Sequence, residues 1–188
     1  MIRLFAALAI PGDIAAGLAR HQHGLLDARW SPAENLHITL RFAGDIDEPR
    51  ADDLDSALAE VRGGPLELRL EGVGAFGRGH KTHAVWAGVA EDPALRHLAK
   101  ACESAARRAG LAPDTRVWRP HVTLAYLRRP EPEHVAAWIQ DHSLLKSPPF
   151  GIDRFGLYSS HATRSGSRYR LDRDYGLKPS RPAGGAES

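Results

Sequence analysis

The alternation of apolar and polar positions along the chain predicts a succession of short strands and helices. Residues 2–10 form a continuous apolar run closed by Pro11-Gly12, which is typical of a buried central strand. Asp13 is placed to cap a helix after that strand, and later apolar residues at helical spacing are followed by glycines. The predicted strands cover residues 2–10, 36–42, 66–73, 83–89, 120–124, 150–160 and 167–173, and the predicted helices cover residues 13–23, 48–61, 92–109 and 131–140.

The order of these elements repeats within the chain and predicts an α+β fold. Hairpin-like connections favour antiparallel or mixed sheets, with the helices packed on the outer faces. With 188 residues and 43% hydrophobic content, the chain is long enough for one well-buried domain, which we expect to span residues 1–177. Residues 178–188 are rich in Pro, Gly, Ser and Ala, so we expect a disordered tail there.

One short phrase occurs in both halves of the chain. Residues 36–40 read Leu-His-Ile-Thr-Leu, and residues 120–124 read Pro-His-Val-Thr-Leu. Alternate side chains of a strand share a face, so the histidine and threonine of each copy point away from the two apolar residues. The residues on the polar faces are His37, Thr39, His121 and Thr123. A pseudo-two-fold arrangement of the halves would bring the two histidines together across a cleft.

Charge and cysteine content restrict the class of protein. The formal net charge of +2 permits a phosphate-bearing ligand without requiring a surface that coats nucleic acid. The single cysteine, Cys102, excludes a disulfide framework and a cysteine-built zinc site, and it is typical of a reducing compartment. No segment approaches the ~18 to 20 apolar residues of a membrane span. We therefore expect a soluble, cytoplasmic, monomeric protein without a membrane partner.

Two glycine motifs resemble phosphate-binding loops but lack the right context. Residues 72–77 match the dinucleotide fingerprint G-x-G-x-x-G, yet the chain continues into a predicted strand instead of a helix. We interpret these glycines as a flexible hairpin connection. Residues 79–82 likewise resemble the end of a P-loop with no helix after it. The sequence therefore predicts no nucleotide cofactor.

Metal and nucleophile chemistry are also disfavoured by the sequence. The chain has ten histidines, but no H-E-x-x-H motif and no acidic residue at ligand spacing. We interpret most of the others as solvated surface residues: His21, His23, His97, His134 and His142. There is no G-x-S-x-G elbow, and Cys102 lies within a predicted alanine-rich helix. We expect neither a metal nor a catalytic serine or cysteine.

Two facing imidazoles are suited to phosphodiester cleavage. An unperturbed histidine pKa near ~6.5 lets one imidazole act as an acid and the other as a base at neutral pH. Cleavage through a pentavalent phosphorus needs a base for the attacking oxygen and an acid for the departing one. Thr39 and Thr123 would flank the same volume and donate to the non-bridging phosphate oxygens.

The chain resembles a known family over nearly its whole length. The duplicated motif, His37-Ile38-Thr39-Leu40 and His121-Val122-Thr123-Leu124, is similar to that of the two-histidine phosphoesterase superfamily, and within it to the RNA 2′,3′-cyclic phosphodiesterases, also known as 2′-5′ RNA ligases. Its surroundings are similar too. They comprise Arg3-Leu4-Phe5-Ala6-Ala7, Asn35-Leu36, Phe42-x-Gly44, Pro120, Leu157-Tyr158-Ser159-Ser160 and Gly166-x-x-Tyr169.

The resemblance implies a bilobal fold whose cleft hydrolyses a terminal RNA 2′,3′-cyclic phosphate to a 2′-phosphomonoester. It implies that His37 donates a proton to the leaving 3′ oxygen, that His121 accepts one from water, and that Thr39 and Thr123 hold the phosphate. The family also joins RNA ends through a 2′-5′ bond by the reverse reaction.

One departure from the family concerns an arginine that many relatives carry shortly after the second motif. This chain has Ala125-Tyr126 there, so Arg41, Arg119 or Arg128 becomes the candidate for that substrate contact. The candidates for stacking a base are Phe42, Tyr126 and Tyr158. Two other functions stay open: a non-catalytic module that binds RNA or nucleotides, and the same chemistry on a small cyclic nucleotide or an ADP-ribose cyclic phosphate.

Overall fold

The computed structural model describes residues 1–164 and 166–178. Within them the strands are β1 (Ile2–Ala9), β2 (Arg29–Trp30), β3 (His37–Ile46), β4 (Leu66–Leu68), β5 (Leu70–Phe76), β6 (Ala84–Val89), β7 (His121–Tyr126), β8 (Phe150–Ile152), β9 (Arg154–Thr163) and β10 (Gly166–Gly176). The α-helices are α1 (Gly12–Ala19), α2 (Glu48–Ala59), α3 (Pro93–Arg108) and α4 (Pro132–Asp141). Apart from Lys178, the predicted tail lies outside the described residues.

One antiparallel sheet runs through the molecule, and the two histidine strands meet at its centre. The strand order is β10-β9-β1-β3-β7-β6-β5, and β2 pairs with the outer part of β7. Strands β3 and β7 are joined by a single antiparallel pair, Ile38 with Val122. This narrow seam divides the sheet into two halves. The predicted α+β fold with antiparallel sheets is confirmed.

The two halves have equivalent arrangements around the seam. Next to β3 lie β1 and then β9, whereas next to β7 lie β6 and then β5. All of these neighbours are antiparallel. All four helices contribute buried side chains to a single apolar core on one face of the sheet, for example Ile14 of α1, Leu54 of α2, Leu95 of α3 and Trp138 of α4. The opposite face is left for the cleft.

The prediction that residues 72–77 form a hairpin connection is wrong. Gly72 and Gly74 lie inside β5, and the connection to β6 begins only at Gly77, whose φ of 92° favours glycine. A Cβ atom at Gly74 would lie 2.3 Å from the Trp86 ring of the neighbouring strand. The glycine is therefore needed because an indole covers it. Only a single 3-10 turn, Gly79–Lys81, separates β5 from β6, so no α-helix N-terminus follows to receive a pyrophosphate.

Two predicted strands are each divided in the structure. The segment predicted at 66–73 gives β4 and β5, and the segment predicted at 150–160 gives β8 and β9. Strands β4 and β8 pair only with each other, in a separate two-stranded sheet. Both breaks occur where the chain passes from that small sheet to the large one.

No helix in the described part of the chain combines the length and the apolarity that crossing a membrane requires.

Candidate active site

The repeated phrase sorts its residues between the core and the cleft as the strand period predicts. The apolar members are no more than 3% exposed: Ile38, Leu40, Val122 and Leu124. The polar members are partly exposed on the opposite face: His37, Thr39, His121 and Thr123. The two copies of the phrase therefore provide buried apolar residues to the core and polar residues to the cleft surface of the sheet.

The register of the seam brings the polar members of the two copies together. Ile38 pairs with Val122 in antiparallel register, so the residue before Ile38 lies opposite the residue after Val122. His37 therefore lies across the seam from Thr123, and Thr39 lies across from His121. Side chains opposite each other on one face have Cβ atoms about 4.5–5.5 Å apart. This register places the four polar side chains on one face of the sheet, beside the seam.

Both imidazoles are held in the same way by backbone carbonyl groups. Nδ1 of His37 lies 2.6 Å from the carbonyl oxygen of Asn35, and Nδ1 of His121 lies 2.7 Å from that of Arg119. A carbonyl oxygen only accepts hydrogen bonds, so this contact assigns the proton to Nδ1 in each neutral ring. Nε2 is then the atom of each histidine that is available for proton transfer.

Aromatic rings fix the orientation of each imidazole. The ring centroid of His37 lies 4.9 Å from that of Phe5 and 5.2 Å from that of Tyr169, which meets it edge-on at 89°. His121 is packed in the same manner by Phe76 at 4.7 Å and Trp86 at 6.2 Å. This packing limits rotation of the two rings and removes water from them.

The pKa of each histidine is lowered, chiefly by this burial. For His37, desolvation lowers the pKa, the hydrogen bond to Asn35 opposes that effect, and the charge of His121 lowers the pKa further. For His121, desolvation again comes first, the hydrogen bond to Arg119 opposes it, and the positive charge of Arg119 lowers the pKa. A cation beside His121 favours its neutral form, which is the form that a general base requires.

We expect both imidazoles to titrate below the ordinary value of 6.5 in the ligand-free protein, and inorganic phosphate to raise both pKa values. An anion between the rings stabilises their protonated forms. The measurement is an NMR titration of the imidazole C–H signals with and without phosphate, assigned with His37→Gln and His121→Gln variants. Ordinary pKa values in the free protein, or no response to phosphate, would contradict this account.

The same shifts fix the direction of the pH dependence of stability. Because the folded-state pKa values are lowered, the native protein binds fewer protons than the unfolded chain as the pH falls below ~6.5. The contribution of both histidines to the free energy of unfolding is therefore complete above that pH and is lost as the pH falls through the folded-state values. Phosphate should reduce this loss, because it raises the folded-state pKa values.

Each histidine strand contains a β-bulge at the leucine of its phrase. Along β3 the partner of Thr39 is Ala7 and the partner of Arg41 is Ala6, so Leu40 has no partner in β1. Along β7 the same interruption falls at Leu124. Each bulge reverses the alternation of the residues that follow it. Two aromatic side chains thereby turn to the cleft side, each 40% exposed: Phe42 and Tyr126.

Strict alternation predicts that Arg41 shares the cleft face with His37, but the structure places it on the other face. The bulge turns it to the helix-covered face, where its side chain is 9% exposed and pairs with Glu103 of α3. It also donates to the carbonyl oxygens of Phe42 and Ala112, the latter at 2.6 Å. This position argues against a substrate contact by Arg41.

The other predicted contacts differ in their distance from the site. Arg119 is exposed, and its charge acts on His121. Arg128 is exposed in a bend after β7 and is not among the residues that line the cavity beside His37. Tyr126 does line that cavity. Tyr158 is half-buried and stacks on Phe5 with 5.5 Å between ring centroids, so it supports the wall behind His37.

A cavity of about 620 Å³ adjoins His37 and contains residues that sequence reasoning missed. Its lining comprises Arg29, Trp30, Ser31, Pro32, Glu34, Asn35, His37, Thr123, Tyr126, Thr163, Gly166, Ser167, Arg168 and Tyr169. Arg29 and Arg168 are the unforeseen cations. They come from a two-residue strand and from the start of an edge strand, and neither belongs to a repeated pattern in the sequence. His121 is not part of this lining, so the cavity belongs to one side of the site.

Within the described residues, no three histidine, cysteine or acidic side chains are close enough together to hold a metal ion.

Comparison with known proteins finds relatives over most of the chain. The model of the 2′-5′ RNA ligase superfamily matches residues 10–164. The RNA 2′,3′-cyclic phosphodiesterase of Escherichia coli K12 is 30% identical over 176 residues, which cover 89% of this chain and 92% of that protein. The protein of the same name from Archaeoglobus fulgidus is 29% identical over 172 residues, covering 90% and 97% respectively.

Solved structures show the same fold. The crystal structure of E. coli LigT complexed with 3′-AMP matches with a TM-score of 0.71 at 27% identity, covering 94% of this chain and 98% of that one. TT0787 of Thermus thermophilus matches in fold with a TM-score of 0.76 at 22% identity, covering 96% and 100%. Because the segment matched by the family model contains both histidine strands and more than half of the sequence, the chain belongs to the 2′-5′ RNA ligase superfamily.

Proposed function

We propose that this protein hydrolyses the 2′,3′-cyclic phosphate at the end of an RNA to a 2′-phosphomonoester, without a metal ion. The observation that carries the proposal is the pair of equivalent imidazoles on strands that meet in one cleft. Each is bound through Nδ1 to a backbone carbonyl, and neither has an Nε2 hydrogen bond to a described residue. Relatives of this chain carry the name RNA 2′,3′-cyclic phosphodiesterase. Two such groups can act as acid and base on opposite sides of a phosphorus atom.

In the proposed reaction, Nε2 of His121 removes a proton from water while the water oxygen bonds to phosphorus. The bond between phosphorus and O3′ breaks, and the protonated Nε2 of His37 transfers its proton to O3′. The product carries a 3′-hydroxyl and a 2′-phosphomonoester, and proton exchange with solvent restores both histidines. Thr39 and Thr123 donate to the non-bridging oxygens, whose charge increases in the transition state.

The position of the cavity supports His37 as the proton donor. The leaving O3′ belongs to the ribose, so the nucleoside must lie on the side of the acid. The cavity of about 620 Å³ adjoins His37 and does not include His121. The positive charge of Arg119, which disfavours protonation of His121, supports the complementary role of that residue as the base.

Substrate binding also accounts for the protonation of an acid whose pKa is lowered in the free protein. The cyclic phosphate is an anion, and it stabilises the imidazolium form of His37 when it enters the cleft. The proton that the reaction needs is thus taken up together with the substrate. A 5′-hydroxyl in the place of water would give a 2′-5′ linkage by the same proton transfers, so we propose that the cleft also supports ligation.

The test is to incubate an oligonucleotide ending in a 2′,3′-cyclic phosphate with the protein and EDTA, and to identify the terminal phosphate. We expect the 2′-monophosphate as the sole product and the same rate with or without EDTA. Binding without turnover would favour the non-catalytic module. Loss of activity in EDTA that added metal restores would contradict the metal-free mechanism. Turnover of small cyclic nucleotides alone would move the same chemistry to another substrate.

A further inference from the structure

We infer that Arg29 and Arg168 bind a second phosphate, the one esterified to O5′ of the nucleoside that carries the cyclic phosphate. The inference rests on the proposed function of the cleft, because that reaction places the nucleoside in the cavity beside His37. It deepens the proposal by naming the preferred substrate as one with a phosphate on each side of the terminal nucleoside. The leaving O3′ faces His37, and the ribose leads from there through O5′ to the next phosphate.

The charges around the cavity favour an anion at that position. Arg29 and Arg168 both line it, and neither forms an ion pair with a carboxylate among the described residues. Glu34 is the only acidic residue of the described lining. Arg170, which lies on the same strand as Arg168 but outside the cavity lining, pairs with Asp172 at 2.7 Å. Two unpaired guanidinium groups facing one carboxylate give the cavity a net positive character, and arginine is well suited to binding phosphate.

Arg29 is held in place before any ligand arrives. Its guanidinium carbon lies 5.1 Å from the centre of the Tyr126 ring, within the range of a cation–π contact. Its backbone pairs with Tyr126 in the sheet, and Tyr126 in turn shares a side-chain hydrogen bond with Tyr169. Little side-chain freedom is therefore lost when a phosphate binds to Arg29.

The start of β10 is shaped to leave room for this guanidinium. Gly166 has a φ of 134°, a conformation that favours glycine. A Cβ atom there would lie 3.0 Å from Nη1 of Arg29. Arg168 follows on the same strand, so one cation lines the cavity from β2 and the other from β10.

The size of the cavity fits a nucleoside with a phosphate at each end. A volume of about 620 Å³ lies within the range of about 300–1,000 Å³ that proteins use for whole ligands. Trp30, Tyr126 and Tyr169 supply aromatic surface to the lining that also contains the two arginines and His37. A cleft that bound only the cyclic phosphate would need neither this volume nor two further cations.

Affinity for products tests the inference without requiring turnover. Calorimetry compares adenosine 2′-phosphate with adenosine 2′,5′-bisphosphate in the wild type and in the Arg29→Gln and Arg168→Gln variants. We expect the 5′-phosphate to tighten binding about 10-fold or more in the wild type, and each variant to lose most of that gain. Arg170→Gln, which removes a paired arginine from the same strand, is the matched control and should keep it.

Kinetics distinguish the sources of the phosphate. The reference substrate is adenosine 2′,3′-cyclic phosphate, and kcat/KM is measured relative to it for three others. The first is the same mononucleotide with a 5′-phosphate, and the second is a dinucleotide that ends in the same cyclic phosphate. The third is that dinucleotide with an uncharged methylphosphonate in place of its internal phosphate. We expect both charged substrates to exceed the mononucleotide about 10-fold or more, and the methylphosphonate to lose the advantage. An advantage of the dinucleotide alone would assign the subsite to an RNA phosphodiester and exclude a terminal 5′-phosphate as its ligand.

The outcomes separate this inference from the proposed function. Equal affinity for the two products in the wild type, or a gain that survives both arginine substitutions, overturns the phosphate subsite even if the enzyme is active. A 10-fold gain that depends on Arg29 and Arg168 supports the subsite even if no cyclic phosphate is hydrolysed. In that second case only the proposed reaction fails.

Discussion

Alanine in place of His37 or His121 lowers kcat on a cyclic-phosphate oligonucleotide by about 10²- to 10⁴-fold. Each substitution removes one of the two Nε2 atoms to which we assign proton transfer, and no other described side chain occupies the equivalent place beside the seam. The measurement is single-turnover hydrolysis, which reports the chemical step and excludes product release. KM should change less than kcat, because the proposed phosphate contacts of Thr39 and Thr123 remain in both variants.

Two controls make this result specific to the proton transfers. His97→Ala removes an exposed imidazole from α3 and should leave kcat unchanged. The double variant of His37 and His121 should be little slower than the slower single variant, because groups that act as a unit give non-additive effects. Turnover close to the wild-type rate in either single variant, with the variant shown to be folded by circular dichroism, would contradict the acid–base pair.

The core of the site is predictable from the sequence because strand periodicity carries the information. A histidine and a threonine two residues apart must share a face of a strand, and the apolar residues between them must share the other. The second copy of the phrase makes an accident of spacing improbable. The observed burial of Ile38 and Val122 beside the half-exposed His37 and His121 follows from this pattern alone.

The bulges could not be predicted, because they depend on partners that lie far away in sequence. Leu40 and Leu124 continue the alternation in the sequence, and only the register against β1 and β6 shows that each is the extra residue of its strand. A bulge reverses the faces of the residues that follow it up to the next irregularity, which in β3 falls at Ala43. This reversal turns Arg41 to the helix-covered face, although simple alternation from His37 would place it in the cleft. It also turns Tyr126 into the cavity, where the side chain can contact a substrate.

The cavity shows a second limit of sequence reasoning. Arg29 belongs to a strand of two residues, too short for any periodicity, and Arg168 lies on the last strand of the sheet. Both line one cavity although β2 pairs with β7 and β10 lies at the edge of the sheet, because the start of β10 closely approaches the side chain of Arg29. The one local signal is Gly166 ahead of Tyr169, a glycine that the structure explains by the approach of Arg29.

Methionine in place of Arg41 lowers the free energy of unfolding by about 3 kcal/mol, the lower end of the range for breaking a buried ion pair. The substitution leaves Glu103, whose side chain is 27% exposed, without its cation, and it removes the donor to the carbonyl of Ala112. Methionine keeps most of the apolar length of arginine, so the loss reports the charge and the hydrogen bonds more than the packing. Urea denaturation, with the slope compared between wild type and variant, gives the value.

The same variant decides whether Arg41 contacts the substrate. Its position on the helix-covered face predicts that KM for the dinucleotide stays within about 2-fold of the wild type under conditions where the variant is folded, since a 2-fold change corresponds to less than about 0.5 kcal/mol. Arg154→Met is the matched control: it breaks exposed pairs with Asp153 and Asp174, and it should lower stability by less than about 1 kcal/mol. A rise in KM of about 10-fold in the Arg41 variant, with stability unchanged, would show that Arg41 contacts the substrate and would contradict the bulge in β3.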